Sequence, residues 1–270
     1  MRVQILGSST RDTAQRQYVS SYLINGTIAI DAGCLGFHGT PYEQETIRHV
    51  FLTHSHVDHT ASLPIFIENA WTPMGECPRI YGSSESLDAL QRYIFNDVMW
   101  PDFVLLSKKM HPFLRLCPLD AEMPVEADGL RITAVRLNHV VPTFGYVITD
   151  GHIAVIVAGD TGPTERLWEV AHETSGAVFL EACFPNSLKR LAEASLHLTP
   201  DMFAEEVGKM PPGIRVVVTH IKVRYRDEIV RELHALGLPQ VEIGDCEREY
   251  DFSQVVSGSL TTASKEPRVA

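Results

Sequence analysis

Short, continuous apolar runs dominate the chain. Those at 3–6, 50–53, 132–137, 178–180, 216–219 and 241–243 are brief and rich in β-branched residues, the pattern of strands buried on both faces. Asn25-Gly26 separates Tyr22-Leu23-Ile24 from Thr27-Ile28-Ala29-Ile30, and Asn-Gly between β-rich runs is the strongest short hairpin signal. Asp150-Gly151 predicts a second hairpin between the runs 146–148 and 153–157. Helical spacing appears between these runs. One helix is predicted to start after Ser83 and carry Leu87, Leu90 and Ile94; a second opens at Pro163 and carries Leu167, Val170 and Ala171. Thr199-Pro200 reads as N-cap and first position of a third, through Val207, and a fourth spans 227–236 until Gly237 stops it. Strands and helices in both halves predict an α/β layered sandwich without internal repeat. The domain is predicted over 1–252, and the polar segment 253–270, without aromatics, reads as a mobile tail.

Composition narrows the class without naming a function. The 270 residues fit one large domain or two small ones, with enough chain to bury a core. No apolar stretch approaches a membrane span, and the first residues move straight into strand-like sequence with no secretory h-region, so a cytoplasmic location and no membrane partner are expected. A net charge of −11 without a basic block disfavours nucleic acid as a partner. Five scattered cysteines with no Cys-x-x-Cys pair fit neither a disulfide framework nor a zinc ribbon; they read as small hydrophobes in a reducing compartment. Twelve histidines remain, and their placement is not random.

His54-Ser55-His56-Val57-Asp58-His59 follows the apolar run ending at Thr53, so a strand end delivers four ligand-type side chains into one short turn. Neutral imidazole and carboxylate suit divalent zinc, iron or manganese. Three other strand-like runs end near one such residue each: His139, Asp160 and His220. Singly, each reads as an ordinary histidine or turn residue. With the cluster they make seven ligands, enough for two metal ions with an open edge, gathered where α/β proteins collect their sites.

With these residues in place the chain resembles the metallo-β-lactamase superfamily, whose motif is His-x-His-x-Asp-His with later His, Asp and His ligands. The resemblance covers residues 1 to 252, including Gly7-Ser8-Ser9 after the first strand and Asp31-Ala32-Gly33 after an early one. It implies a four-layer αββα sandwich. It also implies one metal on His54, His56 and His139, a second on Asp58, His59 and His220, Asp160 bridging them, and Asp31 supporting the metal loop. Two divalent ions are thus expected, zinc first, with manganese or iron as alternatives. Within the superfamily, four stretches are similar to class II cyclic-nucleotide phosphodiesterases: 51–64, 94–103, Ser195-Leu196-His197-Leu198-Thr199-Pro200, and Thr219-His220-Ile221-Lys222-Val223-Arg224-Tyr225-Arg226. Val57 stands where that family has Leu, Thr60 where an apolar residue is usual, and Leu196 where relatives often have Gly.

The implied reaction is hydrolysis of 3′,5′-cyclic AMP, or cyclic GMP, to the 5′-monophosphate by hydroxide bridging the metals, with Asp58 and His197 as catalytic residues. His197 is the candidate proton donor or phosphate ligand, just before a helix start that favours anions. Lys222 and Arg224 are candidate contacts to phosphate or ribose, with a solvated surface as the competing reading. Tyr93, Phe95, Trp100 and Phe103 suit core packing, purine stacking or a second subunit, so a homodimer is an open expectation. The alternatives are an RNA-processing phosphodiesterase, which wants a basic surface; a thioester or lactone hydrolase, which leaves His197 without purpose; and a catalytically silent metal- or partner-binding module, which would be expected to have lost ligands.

Overall fold

Side chains on successive strand residues point to opposite faces, and here the two faces feed different cores. The computed structural model describes residues 1–9, 16–171, 176–246 and 248–252; the predicted tail, 253–270, lies outside them. In chain order its strands are β1 (Arg2–Ile5), β2 (Tyr22–Ile24), β3 (Ile28–Ile30), β4 (His49–Phe51), β5 (Arg79–Gly82), β6 (Arg115–Pro118) and β7 (Pro124–Ala127). They continue as β8 (Leu130–Arg136), β9 (Phe144–Thr149), β10 (Ala154–Val157), β11 (Ala177–Glu181), β12 (Arg215–Thr219), β13 (Val241–Ile243) and β14 (Glu249–Asp251).

The strands form two sheets, ordered β14-β1-β2-β3-β4-β5-β6 and β13-β12-β11-β10-β9-β8-β7. In each sheet three antiparallel pairings are followed by three parallel ones. The chain therefore carries the same pairing pattern twice, although no sequence repeat announces it. Phe179 and Val217 pack between the sheets with Ile30, Phe51 and Tyr146. Their neighbours Val178, Leu180, Val216 and Val218 face the helices at 166–171, 189–195, 200–208 and 226–235, through Leu167, Ala192, Phe203 and Ile229. Val50, Leu52 and Ile80 do the same on the other side against Leu63, Phe66, Leu87 and Leu90. Helix, sheet, sheet, helix is the four-layer sandwich expected from the sequence. Among the described residues no helix is long and apolar enough to cross a membrane.

Two hydrogen bonds cross between the sheets beside the histidine cluster. The Tyr146 hydroxyl donates to Leu52 O at 2.6 Å, and Phe144 N donates to Thr53 O at 2.9 Å. Each contributes on the order of 1 kcal/mol and fixes where β4 ends.

Asn25 and Gly26 both have positive φ, 50° and 80°, as the central residues of a type I′ turn require, and Thr27 N donates to Ile24 O at 3.2 Å; Ile24 pairs with Ile28, so three residues connect the strands. The second hairpin differs: β9 and β10 pair through Thr149 and Ala154, leaving a four-residue loop. Asp150 builds that loop itself, its carboxylate accepting from His152 N and Ile153 N. The helix expected at Pro163 begins only at Arg166. The intervening backbone is drawn to side chains, Thr161 N donating to Glu181 and Thr164 N to Glu206. Tertiary hydrogen bonds thus replace the first helical turn.

Candidate metal centre

The metal-type residues stand beyond the carboxyl ends of four strands. β4 leads into His54 and His56, and His56 caps the four-residue helix Val57–Thr60 that carries Asp58 and His59. His139 follows β8, Asp160 follows β10, and His220 follows β12. Backbone bonds from Ser20 N to Asp58 O (2.8 Å) and Ala32 N to His59 O (2.7 Å) clamp the turn from the side. Gly33 permits that clamp: a β-carbon there would overlap the Asp58 carbonyl oxygen and stand 2.8 Å from Ser20 O. Gly33→Ala is expected to cost about 1–3 kcal/mol through overpacking, read as a lowered Tm, and to weaken metal binding because Asp58 is displaced.

Around Asp160 the side chains converge from every side. One carboxylate oxygen lies 3.4 Å from His59 Nε2; the other lies 3.8 Å from His54 Nε2 and 3.5 Å from His220 Nε2. His220 Nε2 is also 3.3 Å from Asp58 Oδ2. Ligand-type atoms of His54, His56, His139 and Asp160 lie within 4.8 Å of one another, as do those of Asp58, His59 and His220. Asp160, with its two oxygens, faces both groups.

Electrostatics mark the same place. Burial, then the neighbouring His59, pushes His54 down to about 2; burial also lowers His56 and His139, so these three imidazoles are neutral with free lone pairs. Burial alone would raise the Asp160 carboxyl, but the imidazoles of His220 and His59 hold it well below its usual range. Burial likewise opposes charge on His59, yet the Asp160 and Asp31 carboxylates pull it well above 6.5. The centre calls for positive charge.

The donor atoms fit a cation. His54 Nε2, His59 Nε2, His139 Nε2 and Asp160 Oδ1 are buried without a hydrogen-bond partner, an arrangement that costs about 1–3 kcal/mol per group if left so. The opposite ring nitrogens are held. His54 Nδ1 is 3.0 Å from Thr53 Oγ1, His59 Nδ1 donates to Asp31 Oδ2 at 2.6 Å, and His139 Nδ1 donates to Leu196 O at 3.0 Å. Such partners fix the tautomer that turns Nε2 inward. Asp31 also accepts from Thr53 N and Thr53 Oγ1, tying the end of β3 to the end of β4. Asp31→Ala is therefore expected to weaken binding of one divalent ion about 10- to 100-fold, measured by competition with a chromophoric chelator.

Asp31, Leu196 and His220 all adopt left-handed backbone, φ 60°, 53° and 51°. Such strain collects at functional sites. Leu196 occupies the position where Gly is frequent in the resembled family, and there it ends the helix Lys189–Ser195. Its conformation aims the carbonyl at His139 and sends the next residue, His197, toward the centre. His197 stacks on His220 at 5.7 Å and meets His139 edge-on at 5.0 Å.

Sequence reasoning passed over Glu181. It is 1% exposed, and its carboxylate accepts from His197 Nδ1 (2.8 Å), Thr161 N (2.7 Å) and Leu198 N (3.2 Å). Burial disfavours the His197 imidazolium, but the Glu181 carboxylate outweighs it and raises the pKa. The signal was present: β11 is an apolar run ending in a carboxylate, as β10 leads to Asp160.

Lys222 joins the centre, its Nζ 3.7 Å from Asp58 Oδ2. Arg224 is exposed, with its guanidinium 5.9 Å from the Tyr225 ring, and makes no ion pair among the described residues. In the aromatic segment Phe95 and Phe103 are core residues, Trp100 packs partly buried against them, and Tyr93 is exposed.

Comparisons with known proteins show the family and the fold. Residues 27–221 match the Beta-lactamase superfamily domain family. The chain is 25% identical over 228 residues to a probable 3′,5′-cyclic-nucleotide phosphodiesterase of Yersinia pestis, covering 73% of this chain and 64% of that one. It is 30% identical over 112 residues to a ribonuclease Z of Pseudomonas putida, covering 41% and 32%. It thus spans less than two thirds of either relative. Unliganded yeast PDE1 shares the fold, with a TM-score of 0.71 at 17% identity over 90% of this chain and 97% of that one.

Proposed function

From the premise that this chain belongs to the Beta-lactamase superfamily domain family, we propose that it is a metal-dependent phosphodiesterase hydrolysing 3′,5′-cyclic nucleotides. His54, His56 and His139 hold one divalent ion, Asp58, His59 and His220 a second, and Asp160 faces both. When bound, such a pair polarises a phosphodiester and lowers the pKa of water towards neutrality. Lys222, beside Asp58, lies where it can meet a phosphate oxygen or ribose hydroxyl.

The observation that carries the reading is the Glu181–His197 pair beside the ligand cluster. Glu181 fixes the ring and favours its protonated form, so His197 presents a proton at the edge of the centre. Hydrolysis of a phosphodiester expels an alkoxide, which leaves poorly unless protonated. A thiolate leaves unaided, so a thioester substrate would give the pair no task. A tRNA precursor needs the same acid but also a broad basic surface, and the net charge of −11 favours the small cyclic diester. The Yersinia likeness points the same way, while the Pseudomonas likeness is the reason to assay RNA.

The test is turnover of the zinc- or manganese-loaded protein on cyclic AMP, cyclic GMP, a thioester and a tRNA precursor. The expected result is conversion of a cyclic nucleotide to its 5′-monophosphate. Turnover of the thioester or the tRNA precursor alone overturns the assignment.

A further inference from the structure

The hydrolytic reading leaves unused a buried thiol that lies against the centre. Cys183 lies two residues beyond the end of β11 and is fully buried. Its backbone is tied on both sides, Cys183 N donating to Leu198 O at 2.9 Å and Lys222 N donating to Cys183 O at 3.2 Å. These bonds place the thiol between the His197 and His220 segments. Cys183 Sγ, a Glu181 carboxylate oxygen, and one nitrogen each of His197 and His220 lie within 4.8 Å of one another. Exposure of the four residues is 0%, 1%, 8% and 9%. His220 turns Nε2 to Asp58 and Asp160, and its Nδ1 is buried without a hydrogen-bond partner.

One thiol, one carboxylate and two imidazoles make a donor set suited to four-coordinate zinc or cadmium; magnesium and calcium prefer oxygen alone. We propose that Glu181, Cys183 and His197, with His220 at the fourth corner, form a third site for a thiophilic divalent ion, and that its occupation inhibits the enzyme. As the ion binds, three protons are released to solvent: that of the Cys183 thiol, the His197 ring proton that the ion displaces, and the Nδ1 proton of His220, whose ring then meets this ion through Nδ1 and the second ion through Nε2 as an imidazolate. The ion engages the Glu181 carboxylate and the His197 ring together, replacing the hydrogen bond between them. His197 then no longer carries the proton it delivers. The inhibitory part rests on the phosphodiesterase reading; the binding part does not.

The experiment titrates Cd2+ into the full-length protein already loaded with two ions per chain. Binding is followed by equilibrium dialysis and by the ultraviolet sulfur-to-cadmium charge-transfer absorption, and hydrolysis in parallel. The expected result is a third equivalent that brings up the sulfur band as activity falls. In Cys183→Ser and Cys183→Ala the band is absent, the half-inhibitory Cd2+ concentration rises more than about tenfold, and activity without added Cd2+ is retained. Two variants guard against one that folds poorly, and their circular dichroism is compared with the parent. Binding that stops at two equivalents, a third without the sulfur band, or inhibition unchanged in both variants overturns the proposal. Failure of the phosphodiesterase reading would appear separately, as absent turnover with the third equivalent and its band intact.

Discussion

His197→Ala is expected to lower kcat on a cyclic nucleotide by about two to four orders of magnitude, the range for loss of a positioned general acid, with metal content unchanged. The ring is not among the seven residues proposed to hold the two ions, so its removal is expected to leave the metal count alone. It is held instead by the buried Glu181 at 2.8 Å and stacked on His220 at 5.7 Å. A purely structural role predicts a lowered Tm with little change in kcat; a catalytic one predicts the reverse. The pH profile separates them further. A general acid must be protonated, so wild-type kcat falls as pH rises through the His197 pKa, which burial depresses and Glu181 more than restores. That alkaline limb should vanish in His197→Ala. Glu181→Gln should keep the ring oriented but shift the limb to lower pH, because the negative charge favouring the imidazolium is gone. Full kcat in His197→Ala with a normal metal count would sink the assignment.

Asp160→Asn is expected to reduce bound metal below two ions per chain and activity by more than about three orders of magnitude. The carboxylate lies within 3.4–3.8 Å of nitrogens on His54, His59 and His220. An amide keeps its shape but surrenders the charge and one acceptor oxygen, leaving both groups of imidazoles facing a dipole. Stability should register the loss. An ion at about a thousand times its Kd stabilises the folded state by about 4 kcal/mol, which at this size is a Tm increment of about 10 °C. Wild type should show that increment on adding zinc and lose it with a chelator; Asp160→Asn should show little of it. An unchanged zinc-dependent Tm in the variant would count against the central position of Asp160.

Much of this was legible along the chain. Asn25-Gly26 made its turn because two positive φ values are a local demand that local residues meet. His54 to His59 stood out because four ligand types in six positions follow one strand, and a strand end fixes their direction. The runs leading to His139, Asp160 and His220 carried the same message. A misreading arose where distant groups intervened: Glu181 and Glu206 drew the backbone after Asp160 away from the helix Pro163 invites, whereas the hairpin at Asp150-Gly151 formed as expected, with a loop that the Asp150 side chain widens.

The sequence by itself marked ten of the fourteen strands among the described residues, an α/β layered sandwich and the identity of the metal-type residues, because hydrophobic period and residue chemistry are properties of neighbours. The strands at 79–82, 115–118, 124–127 and 249–251 it did not mark, and the four-layer class came with the resemblance. Only the tertiary structure decided which nitrogen of each histidine turns inward and that Glu181 fixes His197. It alone brought Cys183 beside them. Those are relations between strand ends far apart in the chain, set by the register of two sheets and by hydrogen bonds formed once the sheets have packed.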